Sequence, residues 1–338
     1  MSFSVKVEPS GHTFPVEEDE PILDAALRHG LALPYGCRNG ACGSCMGKVV
    51  EGKIAYPEDE LPPALTEEQA TTGMALFCQA RALNNLVIET REVAEGQDIP
   101  IKKLPSRIAE MSRLNHDVML LKLKLPSTER LQFLAGQYVD FILKDGRRRS
   151  FSLANAPHDD DYLVLHIRHV EGGRFTGEVF DKMKVKDILR IEGPFGGFYL
   201  REDSDRPIIF MAGGTGFAPI KGMIEHAFAS GIERPMHLYW GARAKQDLYL
   251  PELPEQWLEE HANFRYTPVL SEPMAEDNWQ GRTGFVHDAV IADHPQLAGY
   301  DIYASGPPPM VYAGQDAFPA HGLDLDHYYS DAFEYNKD

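Results

Sequence analysis

Cys37-Arg38-Asn39-Gly40-Ala41-Cys42-Gly43-Ser44-Cys45, followed much later by Cys78, is the stretch that decides how the chain begins. These are all four cysteines of a 338-residue sequence. A secreted disulfide scaffold of this length spreads its cysteines along the chain. A set confined to the first quarter points instead to a metal site in a reducing, cytoplasmic compartment. Cys-x4-Cys-x2-Cys with a distant fourth cysteine is the plant-type [2Fe–2S] spacing. Two sulfide-bridged irons need four thiolates. Gly36, Gly40, Ala41, Gly43 and Ser44 keep the loop free of bulk, so that backbone N–H groups reach the sulfurs and stabilise the reduced, more negative state. The competing reading is a four-cysteine zinc site; such sites usually carry two Cys-x2-Cys knuckles, and this sequence has one.

Outward from the loop, residues 1–92 read as one small unit. Phe3, Val5 and Val7 alternate as in a half-buried strand, Ser10-Gly11 turns, and Thr13 to Val16 returns as a hairpin partner. Asp19 is the expected cap of a helix with Pro21 near its first position, Ile22, Leu23, Ala26 and Leu27 on one face, and Gly30 at its end. Lys48 to Ile54 reads as a strand and turn, Leu86 to Glu89 as a closing strand. The unit holds 7 Lys/Arg against 14 Asp/Glu, and the whole chain has a formal charge of −18. That balance excludes the basic footprint of a nucleic-acid binder and argues against docking on anionic lipid. The acidic surplus is either a solvated face or a patch that steers a basic protein partner. No run approaches the roughly 18 apolar residues of a membrane span. The N-terminal residues show no basic flank followed by an apolar core, so no secretory signal is visible.

Residues 93–103 lack helical periodicity and read as a linker. From 104 to 202 short strands dominate, among them Val118 to Leu121, Tyr138 to Ile142 and Leu163 to Ile167, and predict a barrel or sandwich. From 203 to 338 strands and helices alternate, beginning with the apolar strand 208–212 and a helix from Pro219 to about Ala229, which predicts a parallel sheet. Four motifs lie in these two regions. Arg149-Ser150-Phe151-Ser152 offers a guanidinium for a diphosphate, a ring to flank a flavin and a hydroxyl for the reactive flavin nitrogen. Gly172-Gly173-Arg174-Phe175-Thr176 leads into a helix N-terminus, a natural anion site. Gly213-Gly214-Thr215-Gly216, between an apolar strand and a helix, reads as a nucleotide pyrophosphate turn without being the strict dinucleotide fingerprint. Ser305-Gly306-Pro307-Pro308 follows the strand 302–304, where ligands of parallel sheets bind. The 13 histidines form no HxxxH or HExxH pair. Of the aromatics near the end, Tyr328, Tyr329, Phe333 and Tyr335, most read as core, with one flavin-facing ring among them.

In this order the motifs resemble, across nearly the whole chain, reductase components in which a plant-type ferredoxin is fused to a ferredoxin–NADP⁺-reductase-like flavin and nicotinamide module. Such proteins serve phenol hydroxylase, ring-hydroxylating dioxygenases and the dehydrase step of dideoxysugar synthesis. The resemblance implies a multidomain α+β and α/β chain: a β-grasp ferredoxin, an antiparallel Greek-key barrel for FAD and a doubly wound domain for NADH. Cys37, Cys42, Cys45 and Cys78 then hold the cluster. Arg149, Ser150, Phe151 and Ser152, with His166, Ile167, Arg168, Gly173, Arg174 and Thr176, inherit the FAD surroundings. Gly213 to Gly216, Ser305, Gly306, Pro307 and Pro308 inherit the nicotinamide side. Ser152, Ser305 and Phe333 are the expected catalytic residues, although the family usually has Cys where this chain has Ser305. Glu272 stands where NADPH-using relatives place an arginine after the corresponding strand, which predicts NADH; Arg243 and Arg282 are the basic residues nearest in sequence. The implied activity is hydride transfer from NADH to FAD and single-electron transfer through the cluster to an oxygenase, hydroxylase or dehydrase partner. A stand-alone reductase of quinones, free flavins or ferric iron is the alternative, and a zinc-bearing binding module a third reading that leaves the flavin and nucleotide motifs unexplained.

Overall fold

The computed structural model describes residues 2–31, 33–36, 38–41, 43–90 and 99–333. They form two compact units, Met1–Pro100 and Ile101–Asp338.

The first unit is a mixed five-stranded sheet in the order Thr13–Glu17, Ser2–Glu8, Leu86–Glu89, Met46–Glu51, Met74–Leu76. Ser2–Glu8 runs antiparallel to its hairpin partner and parallel to Leu86–Glu89. The expected alternation is realised: Val5, Val7, Phe14 and Val16 are buried while Lys6 and Thr13 stay outside. Helix Ile22–Arg28 packs on the Thr13–Glu17 strand through Ile22, Leu23, Ala25 and Ala26. Together these make the β-grasp plan. The helix start differs from expectation. Asp19 does not cap it; Pro21 holds the cap position, and Asp19 lies in the preceding turn with φ +66°. Proline is tolerated there because its missing N–H would have had no partner inside the helix.

The second unit begins with a six-stranded antiparallel sheet in the order Arg148–Ser152, Tyr138–Ile142, Ile188–Phe195, Lys102–Arg113, Val118–Lys124, Leu163–Arg168. A bridge between Leu153 and Leu165 joins its two edges and closes the Greek-key barrel. Inside it Ile108, Leu121, Leu123, Val139, Leu153 and Ile167 pack as one core. The first barrel strand starts at Lys102, inside the expected linker; residues 93–98 of that stretch lie outside the described residues.

The remaining chain builds a six-stranded parallel sheet: Arg282–Thr283, Phe264–Leu270, Met236–Ala242, Ile208–Gly213, Asp301–Gly306, Tyr328–Ala332. Its central strands Ile208–Gly213 and Asp301–Gly306 are buried at every residue, as strands covered on both faces must be. Helix Phe217–Ala229 covers one face through Ile220, Met223, Ile224 and Ala227. The strand order reverses between Ile208–Gly213 and Asp301–Gly306, so a crevice opens at their carboxyl ends. Val118, Ala135 and Phe198 of the barrel share one core with Phe210, Ile220 and Trp240 of this sheet, which is why barrel and parallel sheet form one unit across the expected 202/203 division.

Candidate active site

Two thiols of the expected cluster set can be placed. Cys45 and Cys78 are 4% and 3% exposed, and Phe77 N–H donates to Cys45 O at 3.2 Å, joining the two segments that carry them. Their negative forms fall near Tyr56, whose hydroxyl accepts from Leu76 N at 3.1 Å. Its pKa is raised first by burial and then further by those cysteines. Gly40 and Gly43 have φ +80° and +72°, so the loop coils tightly where any other residue is strained. A buried thiol on a glycine-coiled loop and a second from a neighbouring segment fit an iron–sulfur cluster. Cys37 and Cys42, the other two expected ligands, lie outside the described residues.

The nucleotide crevice is a cavity of about 480 Å³ at the carboxyl ends of the parallel strands. Gly213, Gly214 and Thr215 line it and enter a helix with no side-chain cap, an arrangement that suits an anionic ligand. Trp240 Nε1 donates to Gly214 O at 3.0 Å and ties that carbonyl down. Gly216 is required by proximity. A Cβ there would lie 1.9 Å from Ser305 O, so the glycine turn and the Ser305–Pro307 loop touch backbone to backbone. Gly306, with φ +135°, also packs on Gly213, where a Cβ would lie 2.5 Å from Gly213 O.

On this junction three distant segments meet. Ser152 Oγ donates to Asp331 Oδ2 at 3.4 Å. Asp331 is the register partner of Ser305 in the neighbouring parallel strand. Phe333 N–H donates to Gly306 O at 2.8 Å. Ser305 is fully buried and its hydroxyl has no partner among the described residues. It does not line the cavity, as expected for a ring-facing residue, but lies behind its wall, on the sheet face shared with Tyr303, whose ring meets Phe198 of the barrel. Asp331 was not legible in sequence, because nothing local marks a carboxylate that matters only through its strand partner.

Other expected contacts divide by side-chain direction. Arg168 reaches the crevice rather than the barrel's outer face. Its Nε donates to Asp117 Oδ2 at 2.8 Å, both residues line the cavity, and Arg168 Nη1 is 3.9 Å from where a Gly214 Cβ would be. His166 faces Tyr249 through one ring nitrogen and keeps Nε2 without a partner among the described residues. The ring is buried, its Nδ1 pairs with Tyr249 OH at 3.1 Å, and burial lowers its pKa to about 3, so it stays neutral. Ile167 points into the barrel core and Phe151 packs beside Phe141 and Phe175 at 5.6 and 5.5 Å. Thr176 spends its hydroxyl on the turn it follows, accepting from Val170 N at 3.1 Å and donating to Gly173 O at 3.2 Å. Its helix, Arg174–Asp181, begins at Gly173 without a side-chain cap, and Arg174 lies 4.0 Å from Glu178 of its own helix. Ser150 donates to Asp140 at 2.6 Å and Arg149 to Arg148 O at 2.8 Å. The uncapped helix start and the Arg149–Ser152 strand edge offer an anionic group N–H donors and a guanidinium, which fits the diphosphate of FAD.

At the far end of the crevice Glu272 N–H donates to Arg243 O at 2.8 Å, and both side chains line the cavity. Arg282 is committed elsewhere, to Asp293 at 2.6 Å and Ala289 O at 3.0 Å. Phe285, 65% exposed at the cavity rim, is a residue the sequence reading missed; only the fold turns this aromatic outward.

Residues 5–83 match the 2Fe-2S iron-sulfur cluster binding domain, 105–199 the oxidoreductase FAD-binding domain and 210–316 the oxidoreductase NAD-binding domain. The chain is 39% identical over 333 residues to the CDP-6-deoxy-L-threo-D-glycero-4-hexulose-3-dehydrase reductase of Yersinia pestis, covering 98% of this chain and 99% of that one. It is 38% identical to the reductase component of phenol 2-monooxygenase from Pseudomonas sp. strain CF600, covering 93% and 89%. The crystal structure of an Amycolatopsis cytochrome P450 reductase matches with a TM-score of 0.81 at 34% identity, covering 98% of each chain. With its cysteine loop, flavin barrel and nucleotide crevice in the same order and over the same length, the chain belongs to the family of ferredoxin-fused FAD- and NAD-binding oxidoreductases, the reductase components of multicomponent enzymes.

Proposed function

We propose that this protein draws a hydride from NADH into its crevice and delivers single electrons, through the cysteine-loop unit, to a separate oxygenase, hydroxylase or dehydrase component in the cytoplasm. FAD, when bound, supplies the exchange between two electrons and one, and the [2Fe–2S] cluster a one-electron relay. The chain's own residues do the positioning. Gly213 to Gly216 and Arg168 hold the pyrophosphate. Glu272 accepts from an adenosine ribose hydroxyl, and Phe285 offers its exposed ring to the base. Ser152 and Asp331 form a hydrogen-bonded pair at the reacting end, with Phe333 held over the junction by Gly306 O. Working boundaries are 1–92 for the cluster domain, 104–202 for the flavin domain and 203–338 for the nucleotide domain.

The observation that supports this reading is the meeting of Ser152, Asp331, Gly306 and Phe333 next to the Pro307 wall of the crevice, a hydroxyl–carboxylate pair that would suit the approach of a nicotinamide to a flavin. The test is anaerobic titration of the purified protein with NADH, watching flavin bleaching and the iron–sulfur paramagnetic signal together. Reduction of both by NADH supports the reading. Flavin bleaching without any iron–sulfur signal favours a stand-alone reductase of small acceptors.

A further inference from the structure

Gln79 follows the fourth cysteine in the chain and bears on the first. Its side-chain amide donates to Arg38 O at 2.9 Å and to Cys78 O at 3.0 Å. Arg38, next to Cys37 in sequence, has φ +60°, a backbone conformation that a Cβ disfavours. Two tethers grip it from opposite ends: Gln79 takes its carbonyl, and Asp24 Oδ1 accepts from its guanidinium at 2.7 Å. The Gln79 stem also packs on the loop, since a Cβ on Gly40 would lie 3.1 Å from Gln79 Cγ.

We propose that Gln79 is a positioning residue of the cluster site, clamping the three-cysteine loop to the Cys78 segment while Asp24 holds Arg38 from the helix side. The proposal rests on the [2Fe–2S] reading of the four cysteines. Thiolates from two segments of chain hold a cluster only while those segments keep register. One amide with two N–H donors, each spent on a carbonyl of a different segment, fixes that register directly. Without it the Arg38 peptide loses its carbonyl tether and leaves the left-handed region more readily, re-aiming the loop's N–H groups whose direction toward the sulfurs sets the balance between oxidised and reduced cluster.

Three variants of the full-length protein separate clamping from mere space-filling. Gln79→Glu keeps the shape but replaces the donor nitrogen with an oxygen that faces two carbonyl oxygens. Gln79→Met keeps the bulk and removes polarity. Asp24→Asn weakens only the second tether, at a half-exposed position that does not endanger folding. The readouts are the cluster's midpoint potential and the rate at which a chelator removes its absorption. Loss should accelerate about tenfold in Gln79→Glu, less in Gln79→Met and least in Asp24→Asn, with potentials shifting in the same order. NADH reduction of ferricyanide should be unchanged throughout. If Gln79→Glu fails to assemble a cluster, the other two variants still carry the ordering. A milder Gln79→Glu than Gln79→Met, or unaltered potential and loss rate in both, overturns the clamp. An unmodified protein with no [2Fe–2S] signal after chemical reduction overturns the cluster reading itself.

Discussion

The two glycine-rich turns use the same residue for different ends. In the cysteine loop, Gly43 has φ +72°, and a Cβ there would meet only Ala64 Cβ at 3.9 Å; glycine is needed for its conformation. In the nucleotide turn, Gly216 has an ordinary φ of −58°, yet a Cβ would collide with Ser305 O at 1.9 Å; glycine is needed for its absence of bulk. The first site belongs to a short loop and one later segment. The second is assembled from three segments, of which Ser152 and Asp331 are 179 residues apart. A locally built site tolerates distant damage, whereas an assembled one registers small displacements anywhere along its seam.

The largest expected effect tests how separable the two sites are. Cys78→Ser should abolish the cluster while the flavin remains, so reduction of ferricyanide by NADH persists and reduction of cytochrome c or the native partner collapses. Undiminished electron transfer to a protein acceptor would mean that the cluster is not the exit. Next comes the direct contrast of glycines. Gly216→Ala must push the Ser305 loop away, an overpacking of about 1–3 kcal/mol, and should raise the KM for NADH at least tenfold. Gly43→Ala should cost about 1 kcal/mol of backbone strain and leave NADH binding untouched. Equal KM effects from both substitutions break the comparison.

The seam itself has a pH signature. His166 on the barrel meets Tyr249 on the nucleotide wall, and burial depresses the imidazole to about pKa 3. A histidine held neutral contributes stability that is complete above its unfolded value of about 6.5 and is lost as pH falls toward the folded value. Between pH 6.5 and 5 the loss is about 2 kcal/mol. His166→Phe should flatten the acid limb of the unfolding midpoint against pH. A limb as steep as that of the unmodified protein would place the acid sensitivity elsewhere.

Nucleotide choice is a smaller effect at the crevice's far end. Glu272 lines the cavity beside Arg243, while Arg282 is occupied by Asp293, so a carboxylate meets any 2′-phosphate there. NADH should be preferred, and Glu272→Ser should narrow the ratio of kcat/KM values by about tenfold. A clear NADPH preference in the unmodified protein would end the Glu272 argument. The smallest effect belongs to Ser305, whose hydroxyl is buried without a partner among the described residues. Ser305→Cys replaces it with a sulfur that needs none and fills more space against the junction. Stopped-flow reduction of the flavin should quicken a few-fold, on the order of 1 kcal/mol of barrier; an unchanged or slower rate, with NADH affinity kept, shows that the site has repacked around serine.

What sequence alone determined about this protein was whatever depends on neighbours in the chain. Cysteine spacing named the cluster, the alternation of Val5 and Val7 named a strand, and the buried run into Gly213 named a nucleotide turn, because each signal is short-range stereochemistry. Even there Asp19 misled, since a capping residue type competes with what Pro21 can do two positions on. Only the tertiary structure decided what a strand's side chains met. It turned Arg168 to the crevice and His166 to Tyr249, although they stand two apart on one strand. It joined Asp331 to Ser152, exposed Phe285 at a rim and spent Thr176 on its own turn. Those outcomes depend on packing between elements far apart in sequence, where a side chain's role is set by the residue it meets and not by those it follows.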